Sequence, residues 1–347
     1  MKYFEKRNLN LKKNYMFHVK TMPTYVARFV DHYQYLNASE NTISGYIQDI
    51  ELFFYFLTMN NDCIDGYNDI TLEFLDNLSF TDIQQYIAFI MDYERDGKTY
   101  HNGTTSRSRK LSALRSFYHY FQTVEKTLKN NPAAALPVPK NNEKKDVIAL
   151  DADEIKTLLH IVRNIPEFSE HQSAYLKRDH YRDVALISLL LGTGLRISEC
   201  IGIDIEDIYE KRQEIKIHRK GNKTTTVYYN DIVGEALNDY IDLERKPKEP
   251  DEKALFLSSR GTRLAVRSAQ NIVKKYTERI GVPENITAHK LRSSYATALY
   301  RDTRDPVLIQ HALSHSNIST VQKYVKKDEE ARKKAAKKTD AWFNEFK

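Results

Sequence analysis

The chain has 347 residues, long enough for two domains of ordinary size, and 41% hydrophobic with 29% charged residues excludes a disordered polypeptide. Lys and Arg outnumber Asp and Glu by 53 to 47, a basic excess of six that allows a polyanionic partner without demanding one. No apolar run approaches the roughly 18 residues that cross a bilayer, and two distant cysteines, Cys63 and Cys200, exclude a disulfide framework or a zinc site of their own.

Residues 1–20 (MKYFEKRNLNLKKNYMFHVK) lack the continuous apolar stretch of a secretory signal, so a cytoplasmic location with reduced thiols is expected. They read as an N-terminal extension too short to fold alone. From 21 to 58 the pattern is helical: MPTYVARFVDHYQYL, then SENTISGYIQDIELFFYFL, with Ser39 as N-cap and Ile43, Ile47, Ile50, Phe54 and Leu57 every three or four residues. TDIQQYIAFIMDYER predicts a third helix, begun by Thr81 or Asp82. A fourth is expected over about 105–129, with Leu111, Leu114, Phe117, Tyr118 and Phe121 as its apolar stripe. Residues 21–132 are thus expected to form a helical domain, and 133–147, with Pro137 and Pro139 before a polar run, an extended linker.

A second domain is expected over 148–330. LDADEIKTLLHIV opens it, with Asp151 or Asp153 as helix cap. Alternation in EIKIH and TTTVYYN predicts a β-hairpin over 214–230 turning at Gly221-Asn222. From Ala265 onward the pattern is helical, broken at Gly281-Val282-Pro283 and near Asp305-Pro306. Residues 331–347 predict a charged C-terminal helix ending in Trp342, Phe343 and Phe346. The fold class is mainly α with a small β-sheet in the C-terminal half, and no internal repeat is evident.

The joints of the second domain hold a distinctive set of polar residues. Arg196 and Glu199 lie in GTGLRISEC, Lys220 at the hairpin tip, and His289 and Arg292 in HKLR, three apart on one face of a helical turn. His315 and Tyr324 follow, nine residues apart. Two guanidiniums, an ammonium, two imidazoles and a phenol suit a phosphodiester. Arginine forks bind its non-bridging oxygens and stay charged. A phenol with an ordinary pKa of about 10 attacks only with a base and a positive field nearby, and a lysine can protonate the departing alkoxide. Fixed cations then do the work of a metal ion. His311 and His315 have a zinc-compatible spacing, but no Glu or Cys accompanies them, and no metal is expected. Gly192-Thr193-Gly194 lacks the remainder of a phosphate loop.

GTGLRISE, KGNK, HKLRSSYATALY and LSHSNISTVQKYV resemble, in order and separation, the four catalytic motifs of the tyrosine recombinase (lambda integrase) family. NTISGYIQDIELFFYFL and SRSRKLSALRSFYHYF are similar to its core-binding helices, so the resemblance covers most of residues 20–330. It implies a two-domain, C-shaped clamp closing on DNA. It also implies that Tyr324 becomes 3′-phosphotyrosyl-linked to DNA, that Arg196 and Arg292 hold the scissile phosphate, and that Lys220 protonates the 5′-oxygen. His289 would accept the tyrosine proton or hydrogen-bond the phosphate, His315 would be a further phosphate donor, and Glu199 would orient the set. No cofactor or energy source is implied. Ser314 stands where the family usually has glycine, which puts the local loop geometry in question.

On this reading Arg107, Arg109, Lys110 and Arg115 of TTSRSRKLSALR are expected DNA contacts. The C-terminal helix is expected to dock on a neighbouring protomer in a homotetramer that holds two DNA sites. Within the family, MPTYVARFV and HKLRSSYATALYRDTRDPVLIQHALSH are similar to the single-recombinase Xer (XerS-type) branch. That branch implies chromosome dimer resolution at a dif-type site, with the translocase FtsK as partner. The alternatives are a mobile-element integrase, which genomic context would separate, and a DNA-binding protein that has lost the reaction.

Overall fold

The computed structural model describes residues 3–137, 148–164, 178–219, 223–282 and 286–313. They divide into two compact units, Met1–Lys144 and Lys145–Lys347. Lys220, His315, Tyr324 and the C-terminal segment 331–347 lie outside the described residues.

The first unit begins with a helix that the sequence did not announce. Residues Tyr3–Val19 form α1, which packs on α3 (Glu40–Met59) through buried Tyr15 and Val19. The Tyr15 hydroxyl donates to Glu40 at 2.6 Å and accepts from Gln34 of α2 (Tyr25–Tyr35) at 3.0 Å. Burial and the Glu40 carboxylate push this phenol well above its ordinary range. Ser39 caps α3 as expected, its Oγ accepting from Thr42 N at 3.0 Å. The core is aromatic: Tyr25, Phe29, Phe54, Phe117 and Phe121 meet largely edge-on, with Phe29–Phe117 ring centroids 5.2 Å apart.

After the short α4 (Leu72–Asn77), α5 spans Phe80–Phe89 and is capped by Ser79 in a reciprocal capping box with Asp82. It stops six residues earlier than the helical pattern predicts. In place of its last turns stands a two-stranded hairpin, β1 (Asp92–Arg95) and β2 (Lys98–His101), paired Asp92↔His101 through Arg95↔Lys98. Asp96 and Gly97 both have positive φ (53° and 69°), the requirement of the tight hairpin turn that an Asp-Gly pair favours. Helix α6 (Thr104–His119) then crosses the core and ends in a wider turn, Tyr120–Val124. Ala133 and Leu136, expected in the linker, are buried in this unit's core.

The second unit is built around α8 (His180–Thr193), whose residues Val184–Leu190 are all buried. α7 (Ala152–Arg163), capped by Asp151, packs on it, as do α10 (Asp231–Asp239) and α12 (Ala288–Thr303). The expected hairpin forms β4 (Glu214–Arg219) and β5 (Lys223–Tyr228), antiparallel from Glu214↔Tyr228 to Arg219↔Lys223. A two-residue strand, β3 (Ile208–Tyr209), extends it to a three-stranded sheet. Between α8 and the sheet lies the five-residue α9 (Ile197–Ile201); α11 (Val266–Thr277) and α13 (Pro306–Leu313) complete the unit.

Candidate active site

The chain leaves α8 through Gly194, whose φ of 63° is left-handed. A side chain there would overlap the Tyr295 ring and stand 2.9 Å from Leu313 Cδ2, so glycine is required twice over. Two residues later Arg196 caps α9, and Glu199 closes the cap by accepting from Arg196 N at 2.9 Å.

Glu199 is only 6% exposed, and a carboxylate so placed needs partners. Its Oε1 accepts from Arg196 Nη1 at 3.0 Å and lies 3.2 Å from Arg219 Nε. Its Oε2 is 3.8 Å from Arg292 Nη1. Arg292, on α12 and 2% exposed, is held by main-chain oxygens: Nη1 donates to Gly194 O and Nη2 to Leu313 O, each at 2.7 Å. One side chain thereby joins the end of α8, the end of α13 and α12. His289 lies one turn earlier on α12 and is exposed.

Arg196, His289 and Arg292 open onto one cleft of about 670 Å³. Its far wall is α11, which presents Arg267, Gln270, Asn271 and Lys274 at intervals of three, one and three residues, a single helical face. The opposite face of α11 buries Ala269, Ile272, Val273 and Tyr276. Buried Asp183 of α8 fixes the helix, accepting from Lys275 Nζ at 2.6 Å and Tyr276 Oη at 3.1 Å. Among the described residues the cleft lining includes four permanent or near-permanent cations and no carboxylate. Such a surface attracts a polyanion. Arg267 and Lys274 escaped the reading of the sequence, although their i, i+7 spacing on an amphipathic helix was a usable signal.

The four basic residues expected on α6 divide differently. Arg109 pairs bidentately with buried Asp49 and keeps half its side chain exposed; Arg107 is half-buried. Lys110 is 8% exposed, with Nζ 3.4 Å from Asp49. Arg115 donates to the carbonyls of Ala133 (2.8 Å), Ala134 (3.3 Å) and Leu136, closing the end of its unit. Lys110 and Arg115 are thus tied to acceptors within their own unit, Lys110 to the Asp49 carboxylate and Arg115 to neutral main-chain carbonyls that leave its charge in place. Cys200, buried beside Glu199, has its thiol pushed far up by burial, which disfavours the thiolate.

Comparison with known proteins agrees with this architecture. Residues 149–331 match the phage integrase family, and residues 26–123 match the phage integrase N-terminal SAM-like domain. The chain belongs to the phage integrase family and is a tyrosine recombinase. Among its relatives, tyrosine recombinase XerC of Caldanaerobacter subterraneus is 33% identical, covering 91% of this chain and 86% of the relative. Tyrosine recombinase XerS of Streptococcus sanguinis is 29% identical over 88% of this chain and 92% of the relative. The fold matches that of the XerH recombinase bound to its palindromic difH substrate (TM-score 0.65, 21% identity, 86% of this chain and 80% of that one). It also matches a lambda integrase dimer on a core site (TM-score 0.59, 16% identity, 87% and 94%).

Proposed function

We propose that the chain cuts and rejoins DNA at a specific site through Tyr324. The phenolic oxygen attacks the scissile phosphorus and gives its proton to His289. The bond from phosphorus to the 5′-oxygen breaks, and Lys220 protonates the departing oxygen. Tyr324 is then esterified to the DNA 3′-phosphate, and a 5′-hydroxyl from a second duplex reverses the step with no net loss of phosphodiester bonds. Arg196 and Arg292 would neutralise the growing charge on the non-bridging oxygens, with His315 as a further donor. Glu199 would hold the arginines in register.

The observation that carries this reading is the pairing of exposed Arg196 with buried Arg292 around one carboxylate, at the mouth of a cleft shared with His289. Arg267 and Lys274 on the far wall supply the electrostatic grip on DNA, with Arg107 and Arg109 of the first unit as further phosphate contacts. Likeness to XerC and XerS sequences supports a Xer-type role: cytoplasmic resolution of chromosome dimers at a dif-type site by a homotetramer, with FtsK as accessory translocase.

The test is to incubate the protein with sheared genomic DNA of its host, trap covalent protein–DNA adducts under denaturing conditions, and sequence the attached ends. A single recurrent site is expected, and Tyr324→Phe should bind it and form no adduct. An adduct from Tyr324→Phe overturns the nucleophile. Arg292→Ala should slow cleavage by a factor of about 10²–10³, the usual cost of one lost oxyanion donor.

A further inference from the structure

Strand β4 ends on two consecutive residues that point to opposite faces, and each meets a buried carboxylate. His218 Nε2 lies 2.9 Å from Asp207 Oδ1 on one side, and Arg219 Nε 3.2 Å from Glu199 Oε1 on the other. The Arg219 contact is an ion pair whose angle falls short of a hydrogen bond, and its side chain is mostly buried. Glu199 therefore faces three guanidiniums. Arg196 and Arg219 share Oε1, whereas the Arg196 main-chain N–H and Arg292 approach Oε2.

We infer that Arg219 is a positioning residue for the recombination reaction. It fixes the Glu199 carboxylate from the sheet side, and through Glu199 it sets where Arg196 stands relative to Arg292, which main-chain oxygens hold. A carboxylate gripped only by the arginines it must orient can follow them. Gripped also by a strand, it becomes a fixed reference. The arrangement links the register of β4 to the arginine pair, which no assignment to Arg196, Glu199 and Arg292 alone provides.

The inference rests on the cleavage reaction proposed above, and the experiment separates the two. On a nicked duplex carrying the site captured with wild-type protein, single-turnover adduct formation and binding are measured for Arg219→Gln, Arg219→Lys, Glu199→Gln and the double variant Arg219→Gln/Glu199→Gln. Arg219→Gln should slow cleavage on the order of 10- to 100-fold, the range for removing a group that orients an active-site ligand. Its affinity for the duplex, and the dependence of that affinity on salt, should stay as in the wild type. Arg219→Lys should recover most of the rate. The double variant should be no slower than Glu199→Gln alone, because a residue acting through Glu199 has nothing left to position.

Additive losses in the double variant would overturn the inference. So would a shallower salt dependence, which marks direct phosphate contact, or a wild-type rate for Arg219→Gln. If Arg219→Gln does not melt cooperatively, the cycle is run with Arg219→Lys, whose smaller slowing should likewise vanish in the Glu199→Gln background. If wild-type protein forms no adduct at any site, the cleavage reaction proposed above itself fails.

Discussion

Gly194→Ala puts the joint between α8 and the arginine site under a calculable load. Holding alanine at a φ of 63° costs roughly 1–2 kcal/mol. The new methyl would also overlap the Tyr295 ring and press on Leu313 Cδ2 at 2.9 Å, and overpacking of this kind typically adds about 1–3 kcal/mol. Together, roughly 2–5 kcal/mol should be lost from the second unit, a fall in its melting temperature of roughly 5–15 °C. Gly97→Ala provides the reference, since it has the same left-handed backbone (φ 69°) with nothing within 4 Å of the added carbon. It should therefore show the strain alone. Scanning calorimetry of both variants separates strain from overlap, and cleavage should fall further in Gly194→Ala because the Gly194 carbonyl receives Arg292. If Gly194→Ala costs no more than Gly97→Ala, the packing against Tyr295 is not a constraint and this reasoning is refuted.

Three further predictions follow from the same contacts. Arg115→Ala should destabilise the first unit by roughly 2–4 kcal/mol, leaving carbonyls unsatisfied, while the salt dependence of DNA binding is unchanged; calorimetry and a salt titration of affinity read both. Lys274→Ala should do the reverse, lowering the slope of log affinity against log salt by about 0.9 with little change in melting. Burial lowers the His180 pKa from its ordinary value, outweighing the opposing pull of Asp183, with Lys275 adding to the effect. A depressed folded-state pKa means that its contribution is fully present above the ordinary histidine value and is lost as pH falls below it. His180→Gln should therefore lose less melting temperature than wild type between pH 7.5 and pH 5.5.

How much of this was legible in the sequence depended on whether local or distant contacts decide. Ser39, Asp151 and the hairpin after Glu214 follow local rules of capping and alternation, and the structure repeats them. The β1–β2 hairpin has an equally local cause, the Asp96-Gly97 turn. It went unread because the apolar spacing of IQQYIAFIM continues a helix straight toward it. Helix α1 could not be read locally, because its apolar face is narrow and its anchors, Glu40 and Gln34, lie 25 and 19 residues from Tyr15. Among the candidate residues, Arg196, Glu199, His289 and Arg292 were singled out by residue type and spacing, and the structure gathers the arginines and His289 on one cleft with Glu199 beside the arginines. That Lys110 meets Asp49 and Arg115 meets main-chain carbonyls was not legible, since charge patterning does not show which acceptors a cation will find.

The two arginines of the site are prepared in different ways, and the difference bears on how each would meet a phosphate in the proposed reaction. Arg292 is buried, and among the described residues it donates to the carbonyl oxygens of Gly194 and Leu313, which orient the guanidinium without cancelling its charge. The carboxylate stands farther off, at 3.8 Å. A positive charge is thereby held at low dielectric with its geometry set in advance, and such a charge stabilises a developing anion with little reorganisation. Arg196 is nearly half exposed and pairs closely with Glu199, so part of its field is spent before any phosphate arrives. One anion among three guanidiniums leaves the cluster with surplus positive charge, the condition for binding a phosphate that gains negative charge as it is attacked. Adding a second carboxylate to that cluster would steady the arginines further and cancel the field that the reaction requires.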